Sequence, residues 1–369
     1  PRGQDGTAGK RVGYWPTLYD YIEKNRDRPM LRQQLKYDAE TWRSSGWLGR
    51  WWHLASLPAL LRYRRLRTGA KTDEGRFLRW SRRFAVAQSA IVLTVVGVLG
   101  ESAWWAKENN FPFEYVFLKP LWWMGYVPEP EMVRIPTTGR PGTFVMGCKP
   151  GRDDVDGAEC REGEAKPATV AAPFYMGRYE VTFEQYDAYV WDRKRNGIAI
   201  KYPEDQGWGR IGHPVVNVSW RDARDYAEWL KRRKPSTQYR LPTEKEWEYA
   251  ARTGIESAYP WDGGYRNDKA NCGAALKGRT TAVGSYPANP WKLHDMSGNA
   301  REWVEDADRP EYREEDSADS EVKDASRVLR GGSWGDGAGN CRVAARGLSA
   351  PDVRYNLIGF RLCCSSPIE

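Results

Sequence analysis

The sequence predicts an α+β domain rich in irregular structure, preceded by a basic helical region and one apolar helix of membrane-spanning length. Three observations carry this. Residues 84–100 (FAVAQSAIVLTVVGVLG) hold no charged side chain. The 83 residues before them contain 19 Lys/Arg against 8 Asp/Glu, whereas the rest of the chain is close to neutral. From about residue 128 onward, short strand-like runs alternate with capped helical stretches and Gly/Pro/Asp loops.

Residues 1–83 read as helical, because Leu31, Leu35, Ala39 and Trp42 recur at helical spacing. Their positive charge suits an anionic surface, phospholipid or nucleic acid. The apolar run that follows favours the membrane, and no nucleic-acid partner is expected. A span needs about 20 residues. Ala103, Trp104 and Trp105 extend the uncharged run past Glu101, so the candidate transmembrane helix is 84–105, with an aromatic anchor at its end. The competing reading is a buried helix of a soluble domain. Arg79, Arg82 and Arg83 precede the run. The positive-inside rule then makes this a single-pass protein with a cytoplasmic N-terminus and a periplasmic or extracellular C-terminal domain. Residues 106–127 read as a juxtamembrane linker.

In 128–369, Thr182 with Gln185 and Thr243 with Glu246 are capping-box pairs that open helices, and Ser219 caps a third. Residues 305–324 hold ten Asp/Glu and read as a solvated loop. All six cysteines lie after residue 147. They are either disulfides of an oxidising compartment or ordinary buried thiols. Cys148 and Cys160, flanking an acidic loop, are the first pair to consider.

A series of blocks then follows in order: Phe144-Val-Met-Gly147, Glu180 to Tyr186, His213 to Trp220 and Arg240 to Arg252. The later blocks are Asp295 to Trp303, Arg330-Gly-Gly-Ser-Trp334, Arg342 to Arg346 and Gly359-Phe-Arg361. This series resembles the formylglycine-generating-enzyme (sulfatase-modifying factor) superfamily, whose fold is similar to C-type lectins. Arg240, Arg330, Arg342, Arg346 and Arg361 could pair with Glu180, Glu246, Glu248 and Glu302 to brace a domain poor in regular structure. The segment Tyr14 to Trp42, with Thr72 to Phe84, resembles the tail of STAND-type NTPases. That likeness implies a longer polypeptide with an upstream effector domain. No phosphate-binding loop of the G-x-x-x-x-G-K-S/T kind is present, so nucleotide binding is not carried over.

The resemblance implies a test of catalysis. Enzymes of this superfamily hold copper with two cysteines between the Gly-Gly-Ser block and the Arg-x-Ala-x-Arg block. Here that interval has Cys341 alone, and one thiolate cannot form the two-sulfur site that Cu(I) prefers. His53, His213 and His294 form no His-x-x-x-His pair for the iron-using branch. No copper and no catalytic residue are expected. Calcium, as a structural ion, is the metal the resemblance implies, with Asp295, Asn299 and Glu302 as oxygen donors. A hydrogen-bonded turn without metal is the alternative.

The last forty residues resemble the variable proteins of diversity-generating retroelements, in which codons are randomised within a fixed frame. Seventeen candidate positions (335–341, 345, 347–350, 352, 353 and 355–357) contain no Trp, Met, Lys, Glu or Gln. A fixed binding loop would also account for this. Trp334, Asp336, Asn340, Leu348, Asp352, Val353, Tyr355 and Asn356 are the expected ligand-binding residues, suited to a protein or glycan. The function expected is a non-catalytic, receptor-like binder, membrane-anchored and coupled to a cytoplasmic signalling region. A formylglycine-type or other metal-dependent oxidase is the alternative.

Overall fold

A computed structural model describes residues 28–45, 60, 66, 69, 71–137, 142–155, 158–160, 164–273, 277–308 and 325–365. Most of the acidic 305–324 stretch, His53 and the first part of the NTPase-like segment lie outside them. The chain divides into two compact units, Pro1–Glu101 and Ser102–Glu369.

In the first unit, helix α1 (Arg28–Ser44) buries the expected stripe. Leu35 and Ala39 pack with Phe77, Leu78 and Ala85, with Leu31 and Trp42 at the margin. Helix α2 (Asp73–Glu108) begins here and continues into the second unit. Its 36 residues rise about 54 Å at 1.5 Å each. Along 86–98 its large apolar side chains point into the open. It is the one helix among the described residues long and apolar enough to cross a membrane.

The second unit begins earlier than the sequence suggests. The stretch read as a linker carries helix α3 (Tyr115–Trp123), and Ala106, Tyr115, Val116 and Trp122 are buried. Phe111 meets Tyr202 edge-on at 4.8 Å, and the Tyr115 hydroxyl donates to Asp187 Oδ2 at 2.6 Å. Pro120 stands inside α3. Aromatic burial outweighs the helix-breaking tendency of that proline.

The remainder is an α+β, C-type-lectin-like arrangement. Strands β1 (Met132–Ile135), β2 (Gly142–Met146), β3 (Lys166–Val170) and β4 (Phe174–Gly177) come first. Helices α4 (Phe183–Arg195) and α5 (Trp220–Arg233), strand β5 (Tyr239–Arg240) and helix α6 (Glu244–Arg252) follow. Strands β6 (Arg301–Ala307), β7 (Arg327–Arg330), β8 (Arg346–Ser349), β9 (Ile358–Phe360) and β10 (Cys363–Cys364) end the fold. They form sheets of order β1-β4-β10-β5 and β8-β7-β6-β9, with β2-β3 as a separate hairpin.

The caps fall where the sequence puts them. The Thr182 N–H bonds Gln185 Oε1 at 3.0 Å. The Asp222 N–H bonds Ser219 Oγ at 3.1 Å, and the Thr243 N–H bonds Glu246 Oε2 at 2.8 Å. Three fully buried tryptophans hold the centre, and each finds an acceptor for its indole N–H, as burial of that donor requires. Trp220 donates to Val304 O at 2.9 Å, Trp303 to Val218 O at 2.9 Å and Trp247 to Glu302 Oε2 at 2.7 Å.

Candidate ligand-binding face and its scaffold

The Arg330–Arg361 segment is braced from beneath by charge. Arg361 and Glu302 are fully buried and paired through two hydrogen bonds of 2.7 Å each. The remaining Arg361 donors reach Gly177 O at 3.0 Å and His294 O at 2.9 Å. Arg330 pairs with Glu248 and donates to Val343 O at 2.8 Å. Glu248 also accepts from Arg252 at 2.8 Å, and Arg252 reaches Asp153 at 3.1 Å. Arg240 grips Glu246 at 2.7 and 2.8 Å. Burial opposes ionisation of Glu246, but the Arg240 pair overcomes it and holds the carboxyl below its usual range.

Among the described residues, Glu180 takes no arginine as a hydrogen-bond partner. It accepts from Asn299 Nδ2 and the Ala300 N–H at 3.1 Å each. Burial, then the charges of Asp295 and Glu302, push its carboxyl well above the usual range. Arg342 is buried too, donating to Gly339 O at 2.7 Å and Asp153 O at 2.5 Å. Arg346 differs: it is an exposed partner of Glu244 and Asp308, at 3.0 Å each.

Two disulfides tie this scaffold. Cys148–Cys160 is the pair the acidic loop suggests. Cys272–Cys341 is not legible from the sequence, where Cys341 reads as a lone cysteine. The Gly331-Gly332 turn explains how the bond fits. Both glycines have positive φ, and a Cβ on Gly332 would lie 2.6 Å from Cys341 Sγ. Cys363 and Cys364 are buried in β10 and form no disulfide. Burial pushes the Cys363 thiol well above its ordinary value.

The expected binding residues divide. Leu348 on strand β8 and Tyr355 are exposed, at 47% and 57%. Asn340 and Asp352 are exposed as well, with Asp352 held by Arg221 at 2.8 Å. Val353 is half-buried. Trp334 is half-buried, packed edge-on against Trp208 at 5.2 Å and donating to Asn356 O at 3.2 Å. Asp336 is a correction: it is buried, paired with Arg301 (2.8 Å at Nε) and accepting from Ser333 Oγ at 2.6 Å.

Several candidate variable positions are likewise structural. Cys341 is in a disulfide. A Cβ on Gly339 would sit 2.6 Å from Ala158 Cβ. The open surface is therefore narrower than the seventeen positions, centred on Asn340, Leu348, Asp352 and Tyr355. Near Tyr355, whose carbonyl accepts from the Asn217 N–H at 3.0 Å, Asn217 helps line a cavity of about 550 Å³. Tyr186, Tyr202, Asp222 and Arg354 line it too. This cavity is not legible in the sequence: Tyr186 and Asn217 lie in quoted blocks, but the 199–204 part of its wall carries no motif.

A family profile described as "Sulfatase-modifying factor enzyme 1-like domain" matches residues 125–365. The chain belongs to that family. Among its relatives, the "Inactive C-alpha-formylglycine-generating enzyme 2" of Mus musculus is 29% identical over 300 residues, covering 66% of this chain and 88% of that protein. The "Formylglycine-generating enzyme" of Thermomonospora curvata is 30% identical over 304 residues, covering 64% and 94%. The chain is also 38% identical over 175 residues to "Serine/threonine-protein kinase pkn1" of Chlamydia pneumoniae, and this match covers 46% of the chain but only 26% of the kinase. In three dimensions it resembles PvdO from Pseudomonas aeruginosa, with a TM-score of 0.54 and 31% identity, over 64% of this chain and 94% of that one.

Family membership makes two metals worth testing against the residues present. Copper in the enzymes needs a thiolate pair beside the Gly-Gly-Ser turn. In this family member the sulfur at that place, Cys341 Sγ, is bonded to Cys272, so the donors do not fit.

Two of the three calcium donors read from the sequence are already engaged within the protein. Both oxygens of Glu302 are taken by Arg361. Asn299 Oδ1 accepts from the Thr281 N–H at 2.9 Å and from Asn271 at 3.3 Å. Asp295 accepts from the Gly284 N–H at 2.7 Å through one oxygen, and its buried Oδ1 has no hydrogen-bond partner among the described residues. Burial, only partly offset by the Gly284 N–H, pushes the Asp295 carboxyl up to about 6.

Proposed function

We propose that this chain is a non-catalytic ligand-binding protein. A formylglycine-generating-enzyme-like scaffold holds out a loop surface of Asn340, Leu348, Asp352, Val353, Tyr355 and Asn356, with Trp334 as its anchor. The carrying observation is the Cys272–Cys341 disulfide. It occupies the sulfur that a copper enzyme would need and pins the root of the exposed loops to a rigid frame. Rigid frames with adaptable loops suit recognition, and exposed Tyr355 beside a cavity of about 550 Å³ offers an aromatic anchor to a protein or glycan. Diversification of these loops is part of the proposal only for the exposed positions.

The same reading makes α2 a single membrane span, with the N-terminus cytoplasmic and the C-terminal unit outside. It is supported by the exposed apolar side chains of 86–98 and the arginines before them. The NTPase-like segment would then pass the binding event inward.

The second reading, an oxidase, is favoured by the 94% coverage of the Thermomonospora enzyme. Copper loading of the purified chain, followed by an aldehyde assay on a cysteine-containing peptide under oxygen, separates the two. The proposal expects no aldehyde. Aldehyde formation that Cys341→Ser abolishes would establish the oxidase instead.

A further inference from the structure

We propose that the segment Phe111–Tyr126, with the basic C-terminal ends of α4 and α5, is a docking face that lies on the surface of an anionic phospholipid bilayer. The proposal rests on the reading of α2 as a span of that same bilayer, and its test keeps the two apart.

The segment is divided by side chain. Tyr115, Val116 and Trp122 turn into the domain, while Phe113, Phe117, Leu121, Trp123, Met124 and Tyr126 stay exposed, Phe113 at 70% and Trp123 at 67%. Phe113, Phe117, Leu121 and Met124 recur every three or four residues, which places them on one face of α3 and its flanks. Phe113 and Phe117 touch edge-on at 5.6 Å, so part of this apolar surface is continuous. A water-facing domain rarely exposes so many large apolar groups close together, and patches of this kind mark a partner or a membrane.

Chain length says which. Residues 84–105 of α2 rise about 33 Å, close to the thickness of a hydrocarbon core. Phe113 follows the end of α2 at Glu108 by five residues, a reach of at most about 18 Å when fully extended. The aromatic face is therefore tethered to the headgroup layer, where Trp, Tyr and Phe side chains partition well.

Charge agrees. Helix α4 ends in Arg193, Lys194 and Arg195, and α5 ends in Lys231, Arg232 and Arg233. Both ends adjoin the segment. Arg233 Nη2 donates to Gly125 O at 3.2 Å. Arg195 lies over Trp191 at 5.3 Å, and the Trp191 ring is 6.4 Å from Trp122. Lys194 lies over Tyr202 at 4.7 Å, and Tyr202 meets Phe111. Asp192 and Glu129 neutralise part of this charge, at 3.7 Å from Arg233 and 2.6 Å from Lys234. Lys194, Arg195 and Arg232 remain exposed. A second copy docking through the same face would bring these cations together, whereas anionic headgroups complement them.

The test uses the full chain reconstituted in vesicles of phosphatidylcholine with phosphatidylglycerol. An environment-sensitive fluorophore is placed on Phe117→Cys, Val95→Cys or Lys277→Cys. The native cysteines are disulfide-bonded or buried, so the introduced thiol is the exposed one. Quenching by lipid-borne nitroxide is compared with quenching by aqueous iodide.

We expect the label at 117 to be quenched by the lipid nitroxide and protected from iodide, with the reverse at 277. Arg195→Glu with Arg232→Glu should reduce lipid quenching at 117. A label at 117 open to iodide would overturn the proposal. A label shielded from both quenchers would also overturn it, because a protein or second copy would then cover the face. Equal lipid quenching at 117 in pure phosphatidylcholine would overturn the anionic requirement. Lipid quenching at 95 but not at 117 leaves the span and removes the docking face, and the opposite pattern keeps the face and removes the span.

Discussion

Between Arg330 and Arg361 the chain presents two populations of side chain that the sequence interleaves without any period. One is sunk into the domain: Arg330, Asp336, Cys341, Arg342, Phe360 and Arg361 are all buried. The other stands open: Asn340, Leu348, Asp352 and Tyr355. Asn340 and Cys341 are neighbours in sequence and opposite in role. In a segment this short of regular structure, burial follows from remote partners such as Arg301, Cys272 and Glu302. The pattern of types along the loop does not reveal it.

The comparison can be broken from the buried side first. Arg361→Ala should cost about 3–5 kcal/mol, since it leaves Glu302 as an unpaired charge in the core. Equilibrium urea unfolding measures it, and a loss near zero would remove Arg361 from the frame. Cys272→Ser, which opens the disulfide to Cys341 and its 69-residue loop, should cost about 2–4 kcal/mol. The same Tm and urea midpoint in reducing and oxidising buffer would show that this bond braces nothing.

Asp295 tests the electrostatics beneath the loop. Its folded carboxyl is raised to about 6 from 3.8. The neutral form is therefore favoured in the folded state, and its contribution is present below about pH 4 and lost as pH rises through about 6. The size is roughly 3 kcal/mol at most, and Glu180 acts in the same direction. Asp295→Asn should flatten this part of the stability curve between pH 4 and 7. An unchanged difference between those pH values would show that Asp295 is not the group responsible.

Smaller effects sharpen the boundary between the two populations. Asp336→Ala should cost about 1–3 kcal/mol, because Arg301 and Ser333 lose their acceptor. An outward-facing Tyr355→Ala should stay within about 0.5 kcal/mol. Thermal melts of the pair would contradict the assignment if the order were reversed.

Much of the fold was legible because its signals are local or ordered. Thr182, Ser219 and Thr243 cap helices where their spacing says, and the blocks from Phe144 to Arg361 announce the family. The arginine–glutamate bracing was legible in kind, though Glu180 bonds amides and Arg346 is exposed. What stayed hidden depends on distance along the chain. Cys272 lies 69 residues from Cys341, and Asp336 looks like any loop aspartate until Arg301 is placed beside it. Residues 106–127 read as a linker because proline dominates that reading, whereas Tyr115 and Trp122 fold the stretch into the domain. For the site, type composition identified the exposed loops but could not separate Leu348 and Tyr355 from the structural positions between them.

The most direct test of recognition by the outer population is a paired measurement on the full chain and a triple variant, Leu348→Ala, Asp352→Ala and Tyr355→Ala. Each is bound to glycan and peptide arrays and melted in the same buffer. The account predicts that the triple variant keeps its melting temperature and loses the array signals of the parent chain. Retained signals, or a collapse in melting temperature, would contradict it.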